Sequence, residues 1–122
     1  MKGSLLYVDD EHYGDVAMEF LEEQGYLVTW YRRGKDAIDA IDEGLRYDLA
    51  LVDLSLPDIG GDQVIATSKQ KNPSIPVFSL SAYKHKALQA DRHLKKPILG
   101  QDILDAIEPY IQRRQGGSSP TA

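Results

Sequence analysis

Residues 49–61 read LALVDLSLPDIGG, and the first five of them decide the architecture. Leu49, Ala50, Leu51 and Val52 are apolar without alternation, as in a strand buried on both faces, and Asp53 ends the run with a carboxylate. Outward from this stretch, further short apolar runs occupy residues 5–8, 26–31, 75–80 and, more weakly, 93–95. The segments between them carry helical spacing. Val16, Ala17, Phe20, Leu21 and Gln24 fall on one stripe that Gly25 ends. Ala37, Ile38, Ile41 and Leu45 make a second, with Gly44 near its stop, and Val64, Ile65 and Ser68 a short third between Asp62 and Pro73. Ile103, Leu104, Ile107, Tyr110 and Ile111 make the last. Strand and helix therefore alternate along the chain, which predicts an open parallel α/β sheet.

The chain has 122 residues, the size of one domain, with 42% apolar and 27% charged residues. That balance excludes a disordered acidic tail and a fibrous repeat. No cysteine is present, which excludes a disulfide scaffold, a thiolate zinc site and a thiol nucleophile. A net charge of −5 argues against a sequence-independent grip on nucleic acid. No apolar run approaches the roughly 20 residues that span a bilayer, so no membrane insertion is expected. The start MKGSLLYVDDE is unlike a secretory signal, which makes a cytoplasmic location the expectation. Residues 1–114 read as one folded domain. The end, QGGSSPTA over residues 115–122, reads as a flexible tail or the start of a linker.

In open parallel sheets ligands sit beyond the carboxyl ends of the strands. There the sequence places Asp9-Asp10-Glu11 after the first run, Asp53 after the third, Ser81-Ala82 after the fourth and Lys96-Pro97 after the fifth. Each alone has an ordinary reading: helix-capping acids, a turn aspartate, a capping serine, a solvated lysine. Alternation, however, delivers all four to one edge independently of their chemistry. Carboxylates packed together repel unless a cation is present, and an all-oxygen donor set favours a hard ion such as Mg²⁺. A carboxylate so placed can attack a phosphoryl group, with a lysine and a hydroxyl to meet the transferred oxygens.

These motifs resemble the response-regulator receiver domains of two-component signalling, including the chemotaxis-regulator type, over Ser4 to about Arg114. YVDDE is similar to the family's acidic pair, LALVDLSLPDIGG to its phosphoacceptor segment, FSLSA to its hydroxyl position and LKKP to its lysine–proline pair. The resemblance implies a flavodoxin-like three-layer sandwich with a five-stranded parallel sheet, order 2-1-3-4-5, and helices on both faces. It implies that Asp53 accepts a phosphoryl group from a phosphohistidine on a sensor histidine kinase or a histidine phosphotransfer protein, and that a downstream protein reads the change. The Mg²⁺ cofactor would be held by Asp10 directly, Asp9 largely through water, Asp53, and the main-chain carbonyl of Ser55. Ser81 would follow the phosphoryl group, Lys96 would pair with it, and the bond to Pro97 would be cis. On this reading the protein is a signalling phosphoacceptor rather than a conventional enzyme. Ser55 and Ala82, both small, would leave access for the water that hydrolyses the acyl phosphate.

Two departures from the family stand out. His93 occupies the switch position, where an aromatic ring is common; it reads equally as a working switch and as an edge-strand histidine. Between Ser81 and Lys96 lie 14 residues. After a loop and a strand of about four each, about six remain for the fourth helix, which is therefore expected to be shortened. Trp30 and Tyr31 should lie near a sheet edge, while Arg32, Arg33, Lys84, His85 and Lys86 read as solvated charge and His12 as a surface residue. A receiver serving as a phosphorylation-independent docking module is the alternative. An aspartate-nucleophile phosphatase is remoter, because its nucleophile ends the first strand and its acid pair comes late. Flavin binding fails on the first loop, where three acids would repel a phosphate.

Overall fold

The computed structural model describes residues 1–11, 14–83 and 87–116. Strands β1 (Gly3–Val8), β2 (Tyr26–Tyr31), β3 (Leu49–Asp53), β4 (Val77–Ser81) and β5 (Arg92–Lys95) alternate with helices α1 (Gly14–Glu23), α2 (Gly34–Asp42), α3 (Gly61–Lys71) and α4 (Gly100–Gly116). All strand pairs are parallel, in the order β2-β1-β3-β4-β5. The chain thus reverses direction across the sheet between β1 and β3, and the crevice opens beyond their carboxyl ends.

The unbroken apolar runs follow from burial on both faces. Leu5, Tyr7, Leu49, Leu51, Phe78 and Leu80 point to one side, where they meet Met18, Leu21, Ile103, Ile107 and Ile111 of α1 and α4. Their alternates Leu6, Val8, Ala50, Val52 and Val77 point to the other, against Ala37 and Ile41 of α2 and Val64 and Ile65 of α3. Gly25 takes φ +103°, a left-handed conformation that ends α1 and that a side chain would strain.

Three details differ from the expectations. On α1 the buried stripe runs through Met18 and Leu21, while Val16 is 74% exposed. Packing against α4 buries Met18 and Leu21, while Val16 lines a shallow groove with Leu99. Second, β4 starts at Val77: Ile75 and Pro76 are buried, but proline has no N–H for a ladder. Third, the segment from Ser81 to β5, where a shortened helix was expected, holds a turn at residues 88–89 and no helix among its described residues. Ala87 and Ala90 pack it onto the α3 side of the core instead. Lys84, His85 and Lys86, and His12, lie outside the described residues. So do residues 117–122; α4 itself continues through Gln115, whose amide donates to the Lys2 carbonyl.

Candidate functional site

Backbone pairing carries the sheet just past its strands and so aims the site residues. Asp9 N–H donates to Tyr31 O at 3.1 Å, prolonging the β1–β2 ladder, and Lys96 N–H donates to Ser81 O at 2.7 Å, prolonging β4–β5. Asp53 is the last residue of β3 and Ser81 the last of β4. All four therefore stand at one edge, as the alternation requires. The Lys96–Pro97 bond is cis.

At the centre is one buried ammonium. Lys96 Nζ lies 2.7 Å from Asp9 Oδ2, 2.9 Å from Asp53 Oδ2 and 2.8 Å from Glu11 Oε1. Asp9 is fully buried and Asp53 is 2% exposed, whereas Asp10 is exposed. Asp9 Oδ2 also accepts from the Tyr7 hydroxyl at 2.6 Å, Asp9 Oδ1 accepts from Glu11 N–H at 3.0 Å, and Asp53 Oδ1 accepts from Ser55 N–H at 2.9 Å. The Asp9 carbonyl accepts from Trp30 Nε1 at 2.7 Å.

The charges follow from this packing. Burial raises Asp53, and the nearby Asp9 adds to the rise, so that despite donation from Lys96 and Ser55 its pKa stands at about 6. Burial also acts to raise Asp9, but donation from Lys96, Tyr7 and the Glu11 amide outweighs it and holds Asp9 below the ordinary carboxylate range. The two titrate as a pair in which Asp53 takes the first proton. For Lys96, burial acts to lower the pKa; its three carboxylate partners prevail and hold it well above the usual lysine value. Three acids around one lysine, with Asp10 beside them, leave a deficit of positive charge. Asp9, Asp10 and Asp53 each offer an oxygen within 4.8 Å of the others, a donor set that could hold a hard divalent cation.

The cleft, about 310 Å³, is lined by Glu11, Asp53, Ser55, Ser81, Ala82, Tyr83, Lys96 and Pro97. Ser55 and Ala82 are exposed on its rim. Its floor depends on Gly61, where a Cβ would drive into the Asp53 carbonyl oxygen. The loop after Asp53 is tied to a neighbouring helix: Asp58 accepts from Gly34 N–H and Lys35 N–H, both at 2.9 Å, at the N-terminus of α2. The slight burial of Asp58 acts to raise its pKa, but the two amides hold it below the ordinary value. Because this folded pKa is depressed, the cap contributes fully above pH 4 and is lost as pH falls through the folded value. Asp58→Ala is expected to cost about 1 kcal/mol in urea denaturation at pH 7, with a smaller difference at pH 3.

His93 is tied into the same edge. Its Nδ1 lies 2.8 Å from Ser79 Oγ, and its Nε2 lies 3.3 Å from Ser81 Oγ and 2.6 Å from Tyr83 O. Ser81 Oγ in turn donates to Tyr83 O at 3.0 Å and accepts from Tyr83 N–H at 3.1 Å. The ring thus joins two strand serines to the segment that follows β4. Arg32 is exposed, yet its guanidinium stacks on Trp30 at 4.4 Å. The sequence assigned no role at the site to Tyr7 or Trp30, and none to Glu11 beyond its place among the strand-end acids. Tyr7 could have been found by the two-residue period that puts it on the face of Asp9; Trp30 needed the strand pairing.

A sequence model described as the response regulator receiver domain matches residues 5–108. Among curated proteins, the chain is similar to response regulator SaeR of Staphylococcus aureus, 28% identical over 117 residues that cover 89% of this chain. The chain spans about half, 50%, of the length of that relative. Among solved structures it is similar to TrrA of Thermotoga maritima in complex with Mg²⁺-BeF, with a TM-score of 0.78, 26% identity, and coverage of 88% of this chain and 97% of that one. It also shares the fold of a CheY-like receiver domain protein of Methanospirillum hungatei, with a TM-score of 0.82, 24% identity, and coverage of 92% and 95%.

Proposed function

The chain belongs to the response regulator receiver domain family, and on that premise we propose that it is a phosphoacceptor that takes a phosphoryl group onto Asp53 from a phosphohistidine. The single observation that carries this reading is Lys96, a 7% exposed ammonium shared by Asp53 and Asp9 at the floor of an open cleft. In the transfer, an Asp53 carboxylate oxygen forms a bond to phosphorus as the phosphorus–nitrogen bond of the donor breaks. The imidazole leaves with its electron pair. Lys96, already 2.9 Å from Asp53 Oδ2, meets the negative charge that the phosphoryl oxygens bring. Asp10 would ligate Mg²⁺ directly and Asp9 through water, with Asp53 and the Ser55 carbonyl completing the protein donors. When bound, the ion supplies positive charge to the phosphoryl oxygens.

Ser81 then turns its hydroxyl from Tyr83 toward the new phosphoryl oxygen, and His93 serves as the switch. Its bonds to Ser81 and Tyr83 give the movement a path to the segment after β4. The small rim residues Ser55 and Ala82 leave access for the water that hydrolyses the acyl phosphate. The donor is a sensor histidine kinase or a histidine phosphotransfer protein, the reader a downstream protein, and the location cytoplasmic. No described helix is long and apolar enough to cross a membrane. The folded unit runs to the end of α4 at Gly116, two residues beyond the boundary of 114 read from the sequence, and the residues after it serve as tail or linker.

A docking role that ignores phosphorylation is favoured by one observation, the lack of a helix among the described residues between Ser81 and Arg92. Beryllofluoride with Mg²⁺ separates the two readings. It is expected to bind the protein, to shift the amide resonances of Ser81, Tyr83 and His93, and to leave Asp53→Asn unchanged. Shifts confined to Asp53 and its neighbours, with none at Tyr83 or His93, would favour the docking role.

A further inference from the structure

We propose that Tyr7 and Trp30 form an aromatic clamp that positions Asp9 for the metal ion, an inference that rests on the metal site proposed above. Tyr7 and Asp9 lie two apart on β1 and its extension, so they share a face of the sheet. Trp30 is the register partner of Tyr7 on β2, and their rings meet at 5.1 Å and 55°. The two side chains reach the same residue by different atoms. The Tyr7 hydroxyl donates to the carboxylate at 2.6 Å, and the Trp30 indole donates to the carbonyl at 2.7 Å.

A buried tyrosine needs some acceptor for its hydroxyl, and a plain packing role would be met by any carbonyl. The acceptor here is the oxygen that also receives Lys96 at 2.7 Å. With Glu11 N–H on the other oxygen, the Asp9 carboxylate has a donor on each side and its main chain is held from β2. Neither rotation of the carboxylate nor a shift of the loop is then left to be lost when an ion binds. Asp9 would meet the ion through water, and hydrogen-bonded partners behind such a carboxylate hold it in orientation, so that their removal weakens metal binding. Arg32 stacks on the same indole, 4.4 Å from its centre.

The test is calorimetric titration of the full chain with Mg²⁺ at pH 7.5, with thermal denaturation of each variant in EDTA. Tyr7→Phe deletes only the hydroxyl and is expected to weaken Mg²⁺ binding about 10-fold. Trp30→Phe deletes the indole donor and is expected to weaken it several-fold. Tyr26→Phe, a buried tyrosine at the other end of the sheet, should bind as the unsubstituted protein does. Trp30 is the only tryptophan, so its emission should change with Mg²⁺ at the same midpoint in the unsubstituted protein. Folded Tyr7→Phe and Trp30→Phe variants with unchanged affinity would overturn the clamp and leave the metal site standing. If Tyr7→Phe does not fold, unchanged affinity in Trp30→Phe overturns it alone. An unsubstituted protein that binds no Mg²⁺ overturns the metal site, and the clamp with it.

Discussion

Lys96→Met is expected to destabilise the metal-free protein by about 3–5 kcal/mol at pH 8, the cost of leaving a buried charge without its partner. The lysine is the shared counter-charge of Asp9, Asp53 and Glu11, and the first two are almost fully buried. Methionine keeps the stem's volume and removes only the charge, so the loss reads electrostatics rather than a cavity. Two conditions should shrink it. At pH 5 Asp53 is mostly protonated, which leaves one buried carboxylate to solvate instead of two. Millimolar Mg²⁺ should restore part of the loss by mass action, because it supplies the missing charge to the folded state alone. Phosphorylation should still fall by about 10²-fold or more, because Mg²⁺ does not replace a fixed donor aimed at the transferred oxygens. Urea denaturation at both pH values, with and without Mg²⁺, measures the first three effects. A loss independent of pH and metal would mean that Lys96 acts through packing.

Asp53→Asn is expected to act in the opposite sense on stability. The folded pKa of Asp53 is raised from 3.8 to about 6, so the folded state binds this proton more tightly than the unfolded chain does. The stability the group contributes is therefore full below about pH 4 and is lost as pH rises through 6. A rise of that size corresponds to about 3 kcal/mol. Asparagine stays neutral; its one amide oxygen can still accept from Ser55 N–H, and Lys96 keeps Asp9 and Glu11 as partners. In EDTA the variant should be more stable than the unsubstituted protein by about 2 kcal/mol at pH 8 and equal to it at pH 4. Mg²⁺ should raise the midpoint of the unsubstituted protein and leave that of the variant nearly unmoved. Combined with Lys96→Met, the substitution should recover part of the lysine's loss, since both act on one cluster.

The order of elements and the edge where the site lies were legible because both rest on short-range pattern. Unbroken runs such as Leu49 to Val52 imply burial on two faces, and two-faced strands separated by helices admit few arrangements. Asp9, Asp53, Ser81 and Lys96 came together for the same reason. What was not legible depends on contacts between elements. The Trp30–Asp9 bond requires the register of β2 on β1, and the bond between Lys96 and Glu11 joins residues 85 apart in the sequence. Val16 and Met18 both fit a helical stripe near Leu21. Only the docking of α1 against α4 chooses between them, and it buries Met18. The length of the segment after Ser81 does not distinguish a short helix from what its described residues show, Ala87 and Ala90 packed into the core and the Tyr83 carbonyl against the His93 ring.

The measurement that bears most directly on the proposed function is intact-protein mass after incubation with acetyl phosphate, with and without Mg²⁺, beside Asp53→Asn. The phosphoacceptor reading predicts one added phosphoryl group that requires Mg²⁺, is absent from the variant, and is lost on standing. No addition to a protein that binds Mg²⁺, or an equal addition to Asp53→Asn, would contradict it.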